Sequence, residues 1–160
     1  MVSPRNREEH ARKDACRELG AIYLRIDTIE RAIAQSYGAA SICDKGYRVA
    51  YALAEDNLRL GRTVIADAVN PLKITRKDWR RVAERADARI IEIEIMCSDP
   101  LEHRRRIETR VVDFPVTWDQ VVTRTYEAWC GDRISIDTAG QSIAESYTRL
   151  SALVSDPLPS

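Results

Sequence analysis

Two aspartates and a run of arginines are the groups in this chain whose types and spacing could do chemistry. Asp27 follows the apolar stretch 21–26, and Asp67 follows 63–66. A carboxylate at the C-terminal end of a strand in an open α/β sheet lies where ligands sit. If the two strands are parallel neighbours, both carboxylates face one crevice. Such a pair suits one base for a substrate hydroxyl and one partner for a magnesium ion or its waters. Asp27 also fits a helix N-cap, with Glu30 as its capping-box partner, and the two roles are compatible. Arg104, Arg105, Arg106 and Arg110 lie on a helical segment after another strand, with Arg106 and Arg110 on one face at i and i+4. Guanidinium groups grip phosphate oxygens in planar, bidentate fashion, so the cluster can close over transferring phosphates; a solvated arginine face is the plainer reading of the same spacing. Trp118, Tyr126 and Trp129 fit helix packing better than a stacking platform.

The elements that must position these groups alternate between strand and helix. Residues 21–26 read as a strand after Gly20, which closes a charged segment with little apolar face. A helix opens at Asp27. Residues 47–60 place Val49, Leu53 and Leu60 at helical spacing as an apolar face, and Gly61 closes that helix. The strand 63–66 delivers Asp67, and Asn70-Pro71 reads as a helix start with proline first, running to Ala86 with Leu72, Trp79 and Val82 inward. In 88–97, Ile91, Ile93 and Ile95 alternate with Glu92 and Glu94, which predicts a strand whose glutamate face is wet. Ser98-Asp99-Pro100 opens the arginine helix, a helical segment spans 118–129, and 134–136 is the last strand, ended by Asp137-Thr138-Ala139-Gly140. A closing helix carries Ile143, Tyr147, Leu150 and Val154 before a frayed tail at 156–160. This order predicts a parallel sheet covered on both faces within one domain, 1–155.

Composition narrows the function classes. A chain of 160 residues with 25 basic and 25 acidic side chains has no net charge, which argues against a nucleic-acid or membrane surface. Among the 25 basic residues only Lys13, Lys45, Lys73 and Lys77 are lysine, a bias towards arginine that suggests a GC-rich gene. Cys16, Cys43, Cys97 and Cys130 form no C-x-x-C pair, so neither zinc nor redox chemistry is indicated, and reduced thiols in a cytoplasmic protein are expected. No apolar run approaches the ~20 residues of a membrane span, and there is no signal peptide.

The stretch 20–27, then Val64-Ile65-Ala66-Asp67-Ala68-Val69-Asn70, then Cys97-Ser98-Asp99-Pro100 leading to the arginines, then Tyr126-Glu127-Ala128-Trp129 and Ile136-Asp137-Thr138, resembles the predicted AAA-type kinases of the P-loop superfamily. That group is related to polynucleotide kinase, gluconate kinase and chloramphenicol phosphotransferase. The resemblance implies a three-layer P-loop kinase-like sheet and ATP-dependent phosphoryl transfer, with Mg2+, to the hydroxyl of a small molecule or a polynucleotide end. It gives Asp27 the role of base and matches Asp67 (the metal partner) and Asn70 to a cofactor-binding pair. It assigns Arg104, Arg106 and Arg110 to a lid within 98–130, and places a nucleotide base near Thr138 and Gly140.

One departure bears on the whole reading. The family opens with an apolar strand and G-x-x-x-x-G-K-[ST], whose backbone N–H groups and lysine hold the β- and γ-phosphates. Counted back from Gly20, the lysine and serine positions fall on Glu8 and Glu9, two anions where a polyphosphate would sit. The genetic code offers a reason. Residues 4–13 can be encoded CCC CGG AAC CGG GAA GAG CAC GCT CGC AAG, and the same string read one base later gives Pro-Gly-Thr-Gly-Lys-Ser-Thr-Leu-Ala. Residues 1–15 are therefore expected to be an out-of-frame translation of the phosphate loop, with the true start upstream, so that ATP binding and catalysis are impaired. The rival is a non-catalytic binding protein of the same fold. The missing strand would lie between those ending at Asp67 and Cys97. Unpaired inner edges, at ~1 to 3 kcal/mol for each buried unsatisfied group, would then leave the chain poorly soluble or partly molten unless the flanking strands close up.

Overall fold

The computed structural model describes residues 20–38, 40, 42–109 and 116–155; Arg110 and the segment 1–19, with its phosphate-loop question, lie outside these. After Gly20 the chain forms β1 (Ile22–Arg25), and helix α1 (Ile26–Tyr37) follows without a loop. Alternation along β1 buries Leu24 and turns Tyr23 and Arg25 to the opposite side. α2 (Lys45–Arg59) completes the crossover to β2 (Val64–Asp67), which pairs with β1 in parallel from Ile22↔Val64 to Arg25↔Asp67. α3 (Lys73–Arg85) follows. Then come β3 (Ile93–Met96), α4 (Pro100–Thr109), α5 (Trp118–Val122), β4 (Ile134–Asp137) and α6 (Ile143–Ser155). β3 and β4 are parallel, from Ile93↔Ile134 to Met96↔Asp137.

The described residues thus give a mixed α/β protein with six helices and two parallel two-strand sheets. The expected parallel pairing of the two aspartate-bearing strands is present, and among the described residues β2 pairs with β1 alone and β3 with β4 alone. The described residues divide into two compact units, one made of those in 20–90 with Tyr126–Trp129, the other of those in 91–125 and 130–155. No described helix is long and apolar enough to cross a membrane.

In the first unit the core is Leu24, Ile26, Ala50, Ala54, Trp79 and Val82. Helix α2 meets it through Gly46, Ala50 and Ala54, not through the expected face: Val49 and Leu53 are about two-fifths exposed and Leu60 more so. Small residues let α2 approach closely, and a Cβ on Gly46 would collide with the Glu30 side chain. Gly61 (φ 72°) does close α2 as expected, in a Schellman arrangement with Arg62 N–H on Asn57 O at 3.0 Å and Gly61 N–H on Leu58 O at 2.8 Å. Trp79 and Val82 are buried as expected, but α3 starts at Lys73, because Asn70 is left-handed (φ 46°) and cannot begin a helix.

In the second unit, Asp99 caps α4 with Pro100 first, accepting from Leu101 N–H at 2.9 Å and Glu102 N–H at 3.1 Å. β3 does not keep the expected wet face: Ile95 is 61% exposed, whereas Glu94 is mostly covered and takes an ion pair from Arg133 at 2.6 Å. The helical segment 118–129 ends at Val122, and Tyr126–Trp129 is extended and belongs to the other unit.

Candidate functional site at the ends of β1 and β2

The last residues of β1 and β2 face each other across the parallel ladder as Arg25 and Asp67. Asp67 accepts a hydrogen bond from the Tyr23 hydroxyl, and Arg25 Nε lies 3.9 Å from its Oδ2. The other arm of Arg25 donates to Asp27 Oδ2 at 3.2 Å. One guanidinium therefore joins the two aspartates, with Arg25 the most covered of the three and Asp27 the most exposed. Asp27 is the second residue of α1, not its N-cap; that place falls to Arg25, which makes no side-chain cap, so the capping-box role with Glu30 is withdrawn. The strand stops one residue earlier than expected and the helix begins at once, which puts Asp27 in the first helical turn beside the exposed N–H groups.

The loop after Asp67 turns at Asn70. Asn70 N–H donates to the Tyr47 hydroxyl oxygen (3.1 Å), and its Oδ1 accepts from the Trp79 indole (3.1 Å). This side chain fixes the loop from within; Tyr51 supports Trp79 edge-on, with ring centroids 4.6 Å apart.

In the second unit, Arg106 and Glu102 of α4 grip the loop after β4. Arg106 donates to Thr138 Oγ1 (2.9 Å), Thr138 O (2.9 Å), Gln141 O (3.2 Å) and Glu102 Oε1 (2.7 Å). Gly140 N–H donates to Glu102 Oε2 at 2.8 Å. That bond, with the Arg106 guanidinium, holds the Glu102 carboxyl below the usual carboxylate range. Asp137 is held down likewise, by Ser98 first and by the Ala139 N–H. Thr138 and Gly140, expected near a nucleotide base, thus sit in a loop tied to the helix expected to act as a lid. Arg104 pairs with Glu108 at 2.7 Å, and Arg105 is largely exposed, 3.9 Å from Glu102. A cleft of about 350 Å3 lies beside Arg104, Ile107, Thr117 and Trp118, and holds neither aspartate.

Compared with known protein families, curated proteins and solved structures, the chain matches none.

Tyr23 and Arg25 escaped the sequence reading. Their period-two spacing carries the signal that they share one side of β1. Arg76 also escaped it. It is 3% exposed and donates to backbone carbonyls as far as 52 residues along the chain, which no local pattern marks.

Proposed function

We propose that the β1–β2 unit carries the acceptor side of an ATP-dependent phosphoryl transfer to a hydroxyl, in a chain that does not itself turn over ATP. The observation that carries this is the placement of Asp67 at the C-terminal end of β2 and of Asp27 two residues beyond the end of the parallel β1, joined through Arg25. Where the phosphate loop is intact, Asp27, the more exposed carboxylate, would accept the proton of the acceptor hydroxyl, and the freed oxygen would bond to the γ-phosphorus of ATP as its bond to the bridging oxygen breaks and ADP leaves. Arg25 orients both carboxylates and stabilises their charge. Mg2+ is bound in such sites by one or two carboxylates while it keeps several waters, so Asp67 suffices in kind, and the ion would supply charge neutralisation on the phosphates. Among the described residues no cluster of three His, Cys, Asp or Glu side chains offers a fuller cage.

The finer fold reading is a three-layer P-loop kinase-like sheet without its central strand. One observation supports it: the strand pairs β1–β2 and β3–β4 are both parallel. The polyphosphate cradle is the part that does not fit, since Glu8 and Glu9 stand at the lysine and serine positions.

The test is an ATP titration by calorimetry on this chain and on a variant with the shifted-frame loop and an upstream strand restored. Saturable binding and phosphoryl transfer only in the restored form are expected, with Asp27→Asn lowering its kcat by roughly 10²- to 10⁴-fold. A restored form that binds no ATP ends the kinase reading. Equal binding by the present chain ends the account of the lost loop.

A further inference from the structure

We propose that Arg76 is a positioning residue: it latches an extended strap, Tyr126–Trp129, onto the loop after Asp67, and the strap keeps that loop in place. The role assigned to the loop rests on the functional reading above; the latch itself does not.

Arg76 is the buried charged side chain of the described core. Its Nε donates to Asn70 O at 2.9 Å and one terminal nitrogen to Pro71 O at 3.1 Å, both in the Asp67 loop. The same fork reaches Glu127 O at 2.6 Å and Ala128 O at 3.2 Å in the strap. Two rings flank it, Trp129 with its centroid 4.3 Å from the guanidinium carbon and Tyr126 at 5.3 Å. Glu127 N–H donates to Pro71 O at 2.8 Å, and the Glu127 carboxylate accepts from Lys73 N–H at the start of α3. The Trp129 indole donates to the Tyr126 hydroxyl at 2.8 Å, which closes the pair of rings.

A desolvated guanidinium is stable only while its donors are met, and here four carbonyls and two π-faces meet them. Half of those carbonyls belong to the strap, so undocking the strap would strand a buried charge. Docking is therefore all-or-none. Asn70 holds a left-handed backbone (φ 46°), which asparagine adopts more readily than other non-glycine residues, and the Arg76 bond to its carbonyl is one of the contacts that hold it there. Asp67 stands three residues before it, at the end of β2 where the loop begins. Lysine would offer one compact donor in place of a planar fork and cannot span both segments.

The experiment uses the full chain, as wild type, Arg76→Lys and Trp129→Phe, the last of which keeps a ring over the guanidinium. Trypsin cleavage after the exposed Arg124, located by mass spectrometry, reads strap release. Hydrogen exchange across 67–72 and the amide resonances of Asp67 and Asn70 read loop position. Arg76→Lys is expected to speed cleavage after Arg124 by about tenfold or more, to speed exchange across 67–72 by a similar factor and to shift both resonances. Exchange in β3 and β4 should stay unchanged, and Trp129→Phe should stay near wild type. Faster cleavage with unchanged exchange and resonances at 67–72 would overturn the positioning role, and no change in any readout would overturn the latch. If Arg76→Lys does not fold, Trp129→Ala attacks the same latch from the strap side with the same expectations. None of these readouts involves ATP, so a failed titration leaves them intact.

Discussion

Replacing Arg106 with lysine separates two uses of one side chain. Free to meet phosphates, Arg106 would matter to anion binding and little to folding. As the structure places it, the guanidinium makes three bonds to the loop after β4, at 2.9, 2.9 and 3.2 Å, besides its pair with Glu102. Hydrogen bonds to a charged donor are worth roughly 1.5 to 3 kcal/mol each when buried. The side chain is 36% exposed, so solvent screening reduces each well below that. Lysine keeps the charge but offers a point donor that can serve one acceptor at a time. The expected loss for Arg106→Lys is therefore about 2 kcal/mol, a sizeable fraction of a typical ~5 to 15 kcal/mol. Urea unfolding measures it, and hydrogen exchange should localise the damage to 138–141. Arg105→Ala is the control, since that exposed side chain should change stability by less than about 0.5 kcal/mol. A loss below about 0.5 kcal/mol for Arg106→Lys, with a fall in pyrophosphate affinity, would refute the clamp and return Arg106 to the lid.

Three further outcomes follow from the geometry. Trp79→Phe removes the indole donor from Asn70 Oδ1 and part of the volume packed on Tyr51, and should cost about 2 to 3 kcal/mol in urea unfolding. Gly61→Ala should cost about 1 kcal/mol in a thermal melt, purely from its left-handed backbone, because nothing lies within 4 Å of the added Cβ. Glu102 and Asp137 both have folded-state values below the ordinary carboxylate range, so the stability they contribute is present above about pH 4 to 4.5 and is lost as the pH falls below it. Glu102→Gln should flatten that acid limb in urea midpoints measured between about pH 3 and 6; an unchanged limb would remove Glu102 from its cause.

Where a local rule decides the structure, the sequence was legible. Asp99-Pro100 began a helix, Gly61 ended one, and the strands before Asp67 and through Ile136 lie within a residue of expectation. Where neighbours decide it, the pattern misled. Val49 and Leu53 have helical spacing, yet α2 turns Ala50 and Ala54 inward because a close approach to α1 favours small residues over large ones. Ile95 alternates with Glu94 as a buried face should, but burial depends on what covers the strand, and Arg133 draws Glu94 under cover instead. Asp27 and Asp67 were visible as strand-end carboxylates; their shared cation was not, because Arg25 meets Asp67 only through the register of two strands 42 residues apart.

That register bears on the energetics of an interrupted sheet. An unpaired strand edge is ruinous when its N–H and C=O groups are buried, because each unsatisfied group carries its full desolvation cost. The faces of a strand are a separate matter: Ile95 and Met96 of β3, adjacent residues that point to opposite faces, are 61% and 45% exposed. An edge open to water has its backbone groups hydrated, so what is missing is mainly apolar burial, at about 25 cal/mol per Å2 left uncovered, rather than hydrogen bonds. Exposed apolar side chains on both faces of β3 make self-association through that strand a hazard for this chain.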